Sequence, residues 1–209
     1  MPKQTFYNLP EEKKEKLIET AIEEFSKQSF RNASVTKIAE NAGVAKGSLY
    51  QYFEDKKDLY KYILDIATNK KQEYLLNWMN QLQHLDFIEI IRELYIKGIE
   101  FAFDNPRLAG IANNFMKEND ADFKKEILGI GIEKSNQFFE GLIENAKKKG
   151  EVSEHIDAKV GAYIITSLNT LIVDYMLNDM AYEDILKHKE VLLDNVDKML
   201  FIIKNGLKA

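Results

Sequence analysis

Residues 34–59 read SVTKIAENAGVAKGSLYQYFEDKKDL, and the fold turns on this stretch. Ser34 can cap a short helix that reaches Asn41, because its hydroxyl can accept one of the four amides that a helix start leaves free. Gly43 then supplies a residue able to turn with positive φ, and a second short helix follows over Lys46–Tyr52. Two short helices that cross steeply need a small residue where their backbones approach, and Ala39 stands there, four residues before the glycine. Leu49 returns an apolar side chain to the first helix, while Ile38 and Val44 complete a small core. The spacing predicts a helix-turn-helix.

The second short helix should expose Lys46, Gly47, Ser48, Tyr50, Gln51 and Tyr52. Such a surface fits the major groove of double-stranded DNA. Gly47 lets backbone come close, Lys46 can reach a phosphate or a guanine edge, and Ser48 can donate to either base or phosphate. The two tyrosine hydroxyls can bond phosphate oxygens. Thr36 at the start of the first short helix, and Lys56 at the start of the long helix that follows, can each offer a polar side chain and a helix N-terminal amide to the DNA backbone. The competing readings are a glycine-linked helix pair that binds no DNA and tyrosines that pack into the core.

Overall charge speaks against nucleic acid at first sight: 29 Lys and Arg face 34 Asp and Glu, a net charge of −5. Divided by segment it reads differently, with +2 between Arg31 and Lys57 and −7 over the remainder. The molecule is polarised, and its candidate DNA face is less repelled by phosphate than the rest. The chain contains no cysteine, which excludes disulfide scaffolds, thiolate zinc sites and thiol-based redox sensing. The N-terminus has no apolar run of signal-peptide length, so a cytoplasmic location is expected.

Outward from the central stretch, apolar residues recur at helical spacing nearly everywhere, and the expected fold class is all-α. A first helix over Glu11–Ser29 carries Leu17, Ile18, Ala21, Ile22 and Phe25 on one face. A long helix is expected from Lys56 to about Asn80. Asp86 and Glu89 form a capping box opening a helix to about Asp104, and Asn105-Pro106 opens the next. A further long helix runs from about Asp122 to Lys149, stopped by Gly150. Asp157 starts a strongly apolar helix ending near Leu177, and a final one covers about Glu183–Asn205. The count is nine helices. The segment from Gly161 to Leu177 is too short and too polar for a membrane span.

The stretch TKIAENAGVAKGSLYQYFEDKKDL, preceded by an amphipathic helix and the pair Phe30-Arg31, resembles the TetR family of bacterial transcriptional regulators. The features that carry the resemblance are Ala39, Gly43-Val44, Lys46-Gly47, Leu49-Tyr50, Tyr52-Phe53 and the span from Lys56 to Leu59. One position departs, since Tyr52 stands where the family often has histidine. The resemblance implies a three-helix DNA-binding domain (residues 1–55) followed by a larger helical domain (56–209) that dimerises through its last two helices and often holds a small-molecule pocket.

In that second domain, Tyr74, Trp78, Tyr95, Phe103, Phe115 and Phe138 are candidates to line an effector pocket, with Asn113 and Asn169 as polar partners. Each of them could equally be a core residue. His84, His155 and His188 stand apart, without metal-ligand spacing, and no catalytic constellation or cofactor motif stands out. The expectation is therefore a homodimeric repressor, not an enzyme, released from a near-palindromic operator when a small, largely apolar effector binds. The alternatives are a DNA-binding regulator controlled by a protein partner, and a helical enzyme or carrier that keeps the motif only structurally.

Overall fold

The computed structural model describes residues 1–79, 81–82, 84–118, 120–177 and 188–206; for 121, 128–132, 169–170, 173–174 and 177 it describes the backbone alone. Every regular element among them is a helix: α1 (Gln4–Tyr7), α2 (Glu11–Lys27), α3 (Val35–Ala42), α4 (Lys46–Tyr52), α5 (Lys56–Met79), α6 (Phe87–Asp104), α7 (Pro106–Met116), α8 (Ala121–Lys148), α9 (Ala158–Leu177) and α10 (Lys189–Asn205). Among the described residues ten helices are seen, where nine were expected over the whole chain. The extra one, α1, spans a single turn, too short for apolar periodicity to reveal it. Residues 183–187 of the expected last helix lie outside the described residues.

Local chemistry accounts for most helix ends. Ser34 Oγ accepts from the Lys37 amide at 3.3 Å. Gly43 adopts φ +72°, its own amide donates to Glu40 O at 3.1 Å, and the Val44 amide reaches back to Ala39 O at 3.0 Å. That paired pattern closes the helix with a left-handed residue. The Asp86–Glu89 capping box forms reciprocally, at 2.9 Å and 2.8 Å. Asp157 Oδ1 accepts from the amides of Lys159 and Val160, at 2.9 Å and 3.1 Å, to open α9.

The chain forms two compact units, Met1–Glu73 with Asp104–Ile127, and Tyr74–Phe103 with Leu128–Ala209. In the first, α2 packs against both α3 and α7. Leu17, Ala21, Ile22 and Phe25 of α2 are buried together with Ile38 and Ala39 of α3, Leu49 of α4, and Leu59, Tyr60 and Ile63 of α5. The α2–α7 approach is backbone-close: a Cβ on Gly110 would lie 2.9 Å from Ser26 O. Beside it, the Asn114 amide nitrogen stands 3.0 Å from both Phe25 O and Ser26 O and 3.2 Å from Gln28 O. One side chain thus occupies the carbonyl end of α2, where a helix has no internal donors left.

The second unit is built on a core of Ile90, Ile91 and Leu94 from α6, Phe139 and Ile143 from α8, Ala162, Ile165, Ile172 and Met176 from α9, and Leu192, Val196 and Leu200 from α10. Arg92 clasps Asp197 through Nε and Nη2, at 2.6 Å and 3.0 Å, tying α6 to α10. Among the described residues, no helix is long and apolar enough to cross a membrane.

Two substitutions probe this frame. Gly43→Ala should lower the unfolding free energy by about 1 kcal/mol, since the added methyl has room but an L-residue resists the left-handed conformation. Gly110→Ala should cost about 1–3 kcal/mol by forcing α7 away from the α2 backbone. Denaturant titration measures both, and unchanged midpoints would contradict the two packing arguments.

Candidate nucleic-acid interface

The α3–α4 pair rests on side chains whose tasks can be followed one by one. Ile38 and Ala39 are fully buried, and Leu49 is the buried residue of α4. Glu24 of α2 accepts the Ser34 amide at 2.8 Å, fixing where α3 begins. With its apolar side turned inward, α4 leaves Lys46, Gly47, Tyr50 and Gln51 exposed, and Ser48 and Tyr52 half-buried. Gly47 meets nothing within 4 Å of where a Cβ would stand, so its backbone is open to close approach. Thr36 is half-buried at the start of α3.

Tyr50 and Tyr52 separate as residues two apart on a helix must. Tyr50 is 45% exposed. Tyr52 leans on Phe6, with ring centroids 6.4 Å apart and an edge-on arrangement. Core packing and outward reach are thus divided between them rather than shared.

Lys56 takes an inward path that the sequence did not indicate. Its Nζ donates to Arg31 O at 3.0 Å and Ala33 O at 3.2 Å, and lies 4.8 Å from the centre of the Phe30 ring. Desolvation pushes the ammonium below its ordinary pKa. The side chain thus closes the loop before α3, while at the start of α5 the Asp58 amide is already held by Asp55 Oδ1 at 2.8 Å.

Local charge also differs from the linear count. Arg31 sits 3.4 Å from both Glu118 and Asp120, and Lys57 and Lys61 share the Glu126 carboxylate at 3.1 Å and 2.5 Å. Those ammonium groups hold the Glu126 carboxyl below its usual range. Two cations of the 31–57 window are thus partnered by acids about 70 to 90 positions away, which no local pattern indicates. Lys37 and Lys46 remain exposed cations of the α3–α4 surface.

Residues 3–6, which carry no periodic pattern, close the end of α4. The Lys3 amide donates to Tyr52 O at 2.7 Å, Lys3 Nζ donates to Tyr50 O at 2.9 Å, and the Thr5 hydroxyl donates to Gln51 O. Phe6 is 1% exposed, its ring 5.2 Å from Phe53 and 5.5 Å from Tyr62. The aromatic pair Phe6-Tyr7 just ahead of Pro10 is the one signal the sequence offers there.

The eight effector candidates do not gather in one unit. Asn113 and Phe115 belong to the first; there Asn113 is 7% exposed, its Oδ1 finding no hydrogen-bond partner among the described residues, and Phe115 packs near Phe123 at 6.4 Å. Tyr74, Trp78, Tyr95, Phe103 and Phe138 belong to the second. Tyr74 lies 5.5 Å from Phe101, and Lys97 Nζ stands 3.8 Å over the Trp78 ring. The Tyr95 hydroxyl donates to Ile165 O at 3.4 Å, and burial raises its pKa. Phe138 packs edge-on against Phe139, and Phe103 is 46% exposed. The Asn169 side chain lies outside the described residues. All three histidines are exposed, and no group of three or more acidic or histidine side chains among the described residues could hold a metal.

Replacing Lys56 by Met should lower stability by about 1–2 kcal/mol, because Arg31 O and Ala33 O lose a charged donor. An unchanged denaturation midpoint would contradict the inward role.

Comparison with known proteins agrees with this geometry. Residues 17–63 match the family model described as bacterial regulatory proteins, tetR family. The probable acrEF/envCD operon repressor of Escherichia coli (strain K12) is 26% identical over 200 residues, covering 93% of this chain and 90% of that protein. A TetR family transcriptional regulator from Chloroflexus aurantiacus superimposes with a TM-score of 0.65 at 29% identity, covering 99% of this chain and 98% of that one. The fold is also that of FadR from Bacillus subtilis, solved in complex with stearoyl-CoA, with a TM-score of 0.67, 19% identity and coverage of 93% and 99%.

Proposed function

The chain belongs to the TetR family of bacterial regulatory proteins, and we propose that it acts as a homodimeric repressor whose α4 reads a near-palindromic operator. The observation that carries this reading is the outward face of α4, where Lys46, Gly47, Tyr50 and Gln51 stand exposed over the buried Leu49. One such helix spans too few base pairs for useful affinity. Two related by a twofold axis enter successive major grooves, about 34–36 Å apart. The acidity of the rest of the chain limits nonspecific attraction, so specific contacts carry more of the affinity.

Support for the dimer comes from α9 and α10. While Ala162, Ile165, Ile172 and Met176 of α9 enter the core, the opposite stripe of Val160, Tyr163, Ile164, Leu171 and Tyr175 is 48–61% exposed. Phe201 and Ile202 of α10 are 66% and 49% exposed. A contiguous apolar surface of this kind marks an association face, and a second copy of the chain would cover it isologously.

An effector in the second unit completes the switch. The reading rests on the aromatic residues there and on a fold that, in FadR from Bacillus subtilis, accompanies stearoyl-CoA. A ligand shifts the equilibrium only by its differential affinity, so an inducer must bind better to the arrangement in which the two α4 helices no longer match the operator.

Lys46→Ala combined with Tyr50→Ala should abolish binding to an operator selected from random duplex DNA while leaving the dimer and its thermal midpoint intact; undiminished binding would refute the assignment of α4. Separately, Tyr163→Glu with Phe201→Glu should convert the dimer to monomer in sedimentation velocity, since burying two carboxylates in an apolar face is strongly unfavourable. A persistent dimer would place the interface elsewhere.

A further inference from the structure

A helix leaves its last four carbonyls without internal donors, and in a helix of seven residues that is more than half of them. In α4 these are the carbonyls of Leu49, Tyr50, Gln51 and Tyr52. Leu49 O receives the Phe53 amide at 2.8 Å. The other three all receive donors from one short segment, through Lys3 Nζ, the Thr5 hydroxyl and the Lys3 amide in turn. Phe6 anchors that segment between Phe53 and Tyr62 beneath the helix end.

We propose that Lys3–Phe6 is a positioning strap that sets the seat and tilt of α4, and thereby sequence-specific DNA affinity, without touching DNA itself. This rests on the assignment of α4 as the reading helix. The three strapped carbonyls belong to Tyr50, Gln51 and Tyr52, which are also three of the residues proposed to read DNA. A short helix holds little structure of its own, so an unstrapped last turn would fray under those side chains. Reading contacts lose strength once their atoms drift by more than about 0.5 Å. The Lys3 ammonium has a second reason to stay where it is, because a cation complements the negative end of the helix dipole. The Thr5 proton is likewise committed to a carbonyl rather than to a phosphate.

A positioning role and a phosphate contact differ in salt dependence. Losing a phosphate contact flattens the slope of log K against log salt by about 0.9 for each charge removed, whereas misplacing the helix lowers affinity at unchanged slope. The test uses the full chain and a duplex that the wild-type protein selects from a random-sequence library, titrated at four salt concentrations. Lys3→Met with Thr5→Val should weaken binding to that duplex about tenfold, with the slope and the affinity for unselected DNA unchanged. Thr5→Ser, which keeps the hydroxyl, should retain wild-type binding, and Phe6→Leu should weaken binding while the thermal midpoint confirms that the protein is folded. Wild-type affinity in the Lys3→Met, Thr5→Val protein would overturn the proposal, and so would a slope reduced by about 0.9 per subunit. Failure of the underlying assignment has a different signature: the Lys46→Ala, Tyr50→Ala protein would still bind the selected duplex, or no duplex would be selected.

Discussion

A seven-residue helix cannot hold itself in water, because the entropy of forming one turn is not recovered over so few hydrogen bonds. Everything around α4 answers that constraint. At its start, the Gly43 turn and the buried Ala39 let α3 come close; in its middle, Leu49 is the one buried side chain. At its end, residues 3–6 supply the missing donors. Because Leu49 alone is buried and only Ser48 and Tyr52 are half-buried, Lys46, Tyr50 and Gln51 stay exposed for an external partner. A longer, better-anchored helix would need more of its surface for its own core.

The same logic extends through the first unit. Lys56 closes the loop ahead of α3, Arg31 meets Glu118 and Asp120, and Asn114 occupies the carbonyl end of α2. The segment 104–127 is therefore part of the unit that holds α4, although more than fifty residues separate it from α4 in the chain. The surface ion pairs in this set are individually weak. Their weight lies in direction, since they orient partners that packing and the Asn114 contacts already hold. They also partner cations that a count along the chain would assign to DNA.

What could be read from the sequence was what local chemistry decides. Ser34, Gly43, the Asp86–Glu89 box and Asp157 act within five residues, and each does in the fold what its residue type requires. The all-helical class and the helix-turn-helix follow from such signals. What escaped was long-range or very short. The inward turn of Lys56 depends on carbonyls 23 and 25 positions away, and Arg31 finds its acids some 90 positions on. Helix α1 is a single turn whose meaning lies in what it touches. The doubly apolar character of α9 was visible, but only the structure separates its core stripe of Ala162, Ile165 and Ile172 from the exposed stripe of Tyr163, Ile164 and Leu171. Aromatic content alone could not sort the effector candidates, because Phe115 and Trp78 look alike in sequence and sit in different units.

Entry of the exposed face of α4 into the major groove can be tested directly, because a chain without cysteine allows a single reactive site to be introduced. A Gln51→Cys protein carrying a short photocrosslinker should attach to bases in two segments of the selected duplex whose centres lie about 10 base pairs apart, one for each subunit. Crosslinks confined to a single segment, or none from position 51 while the protein remains bound, would show that α4 does not enter the groove in two copies.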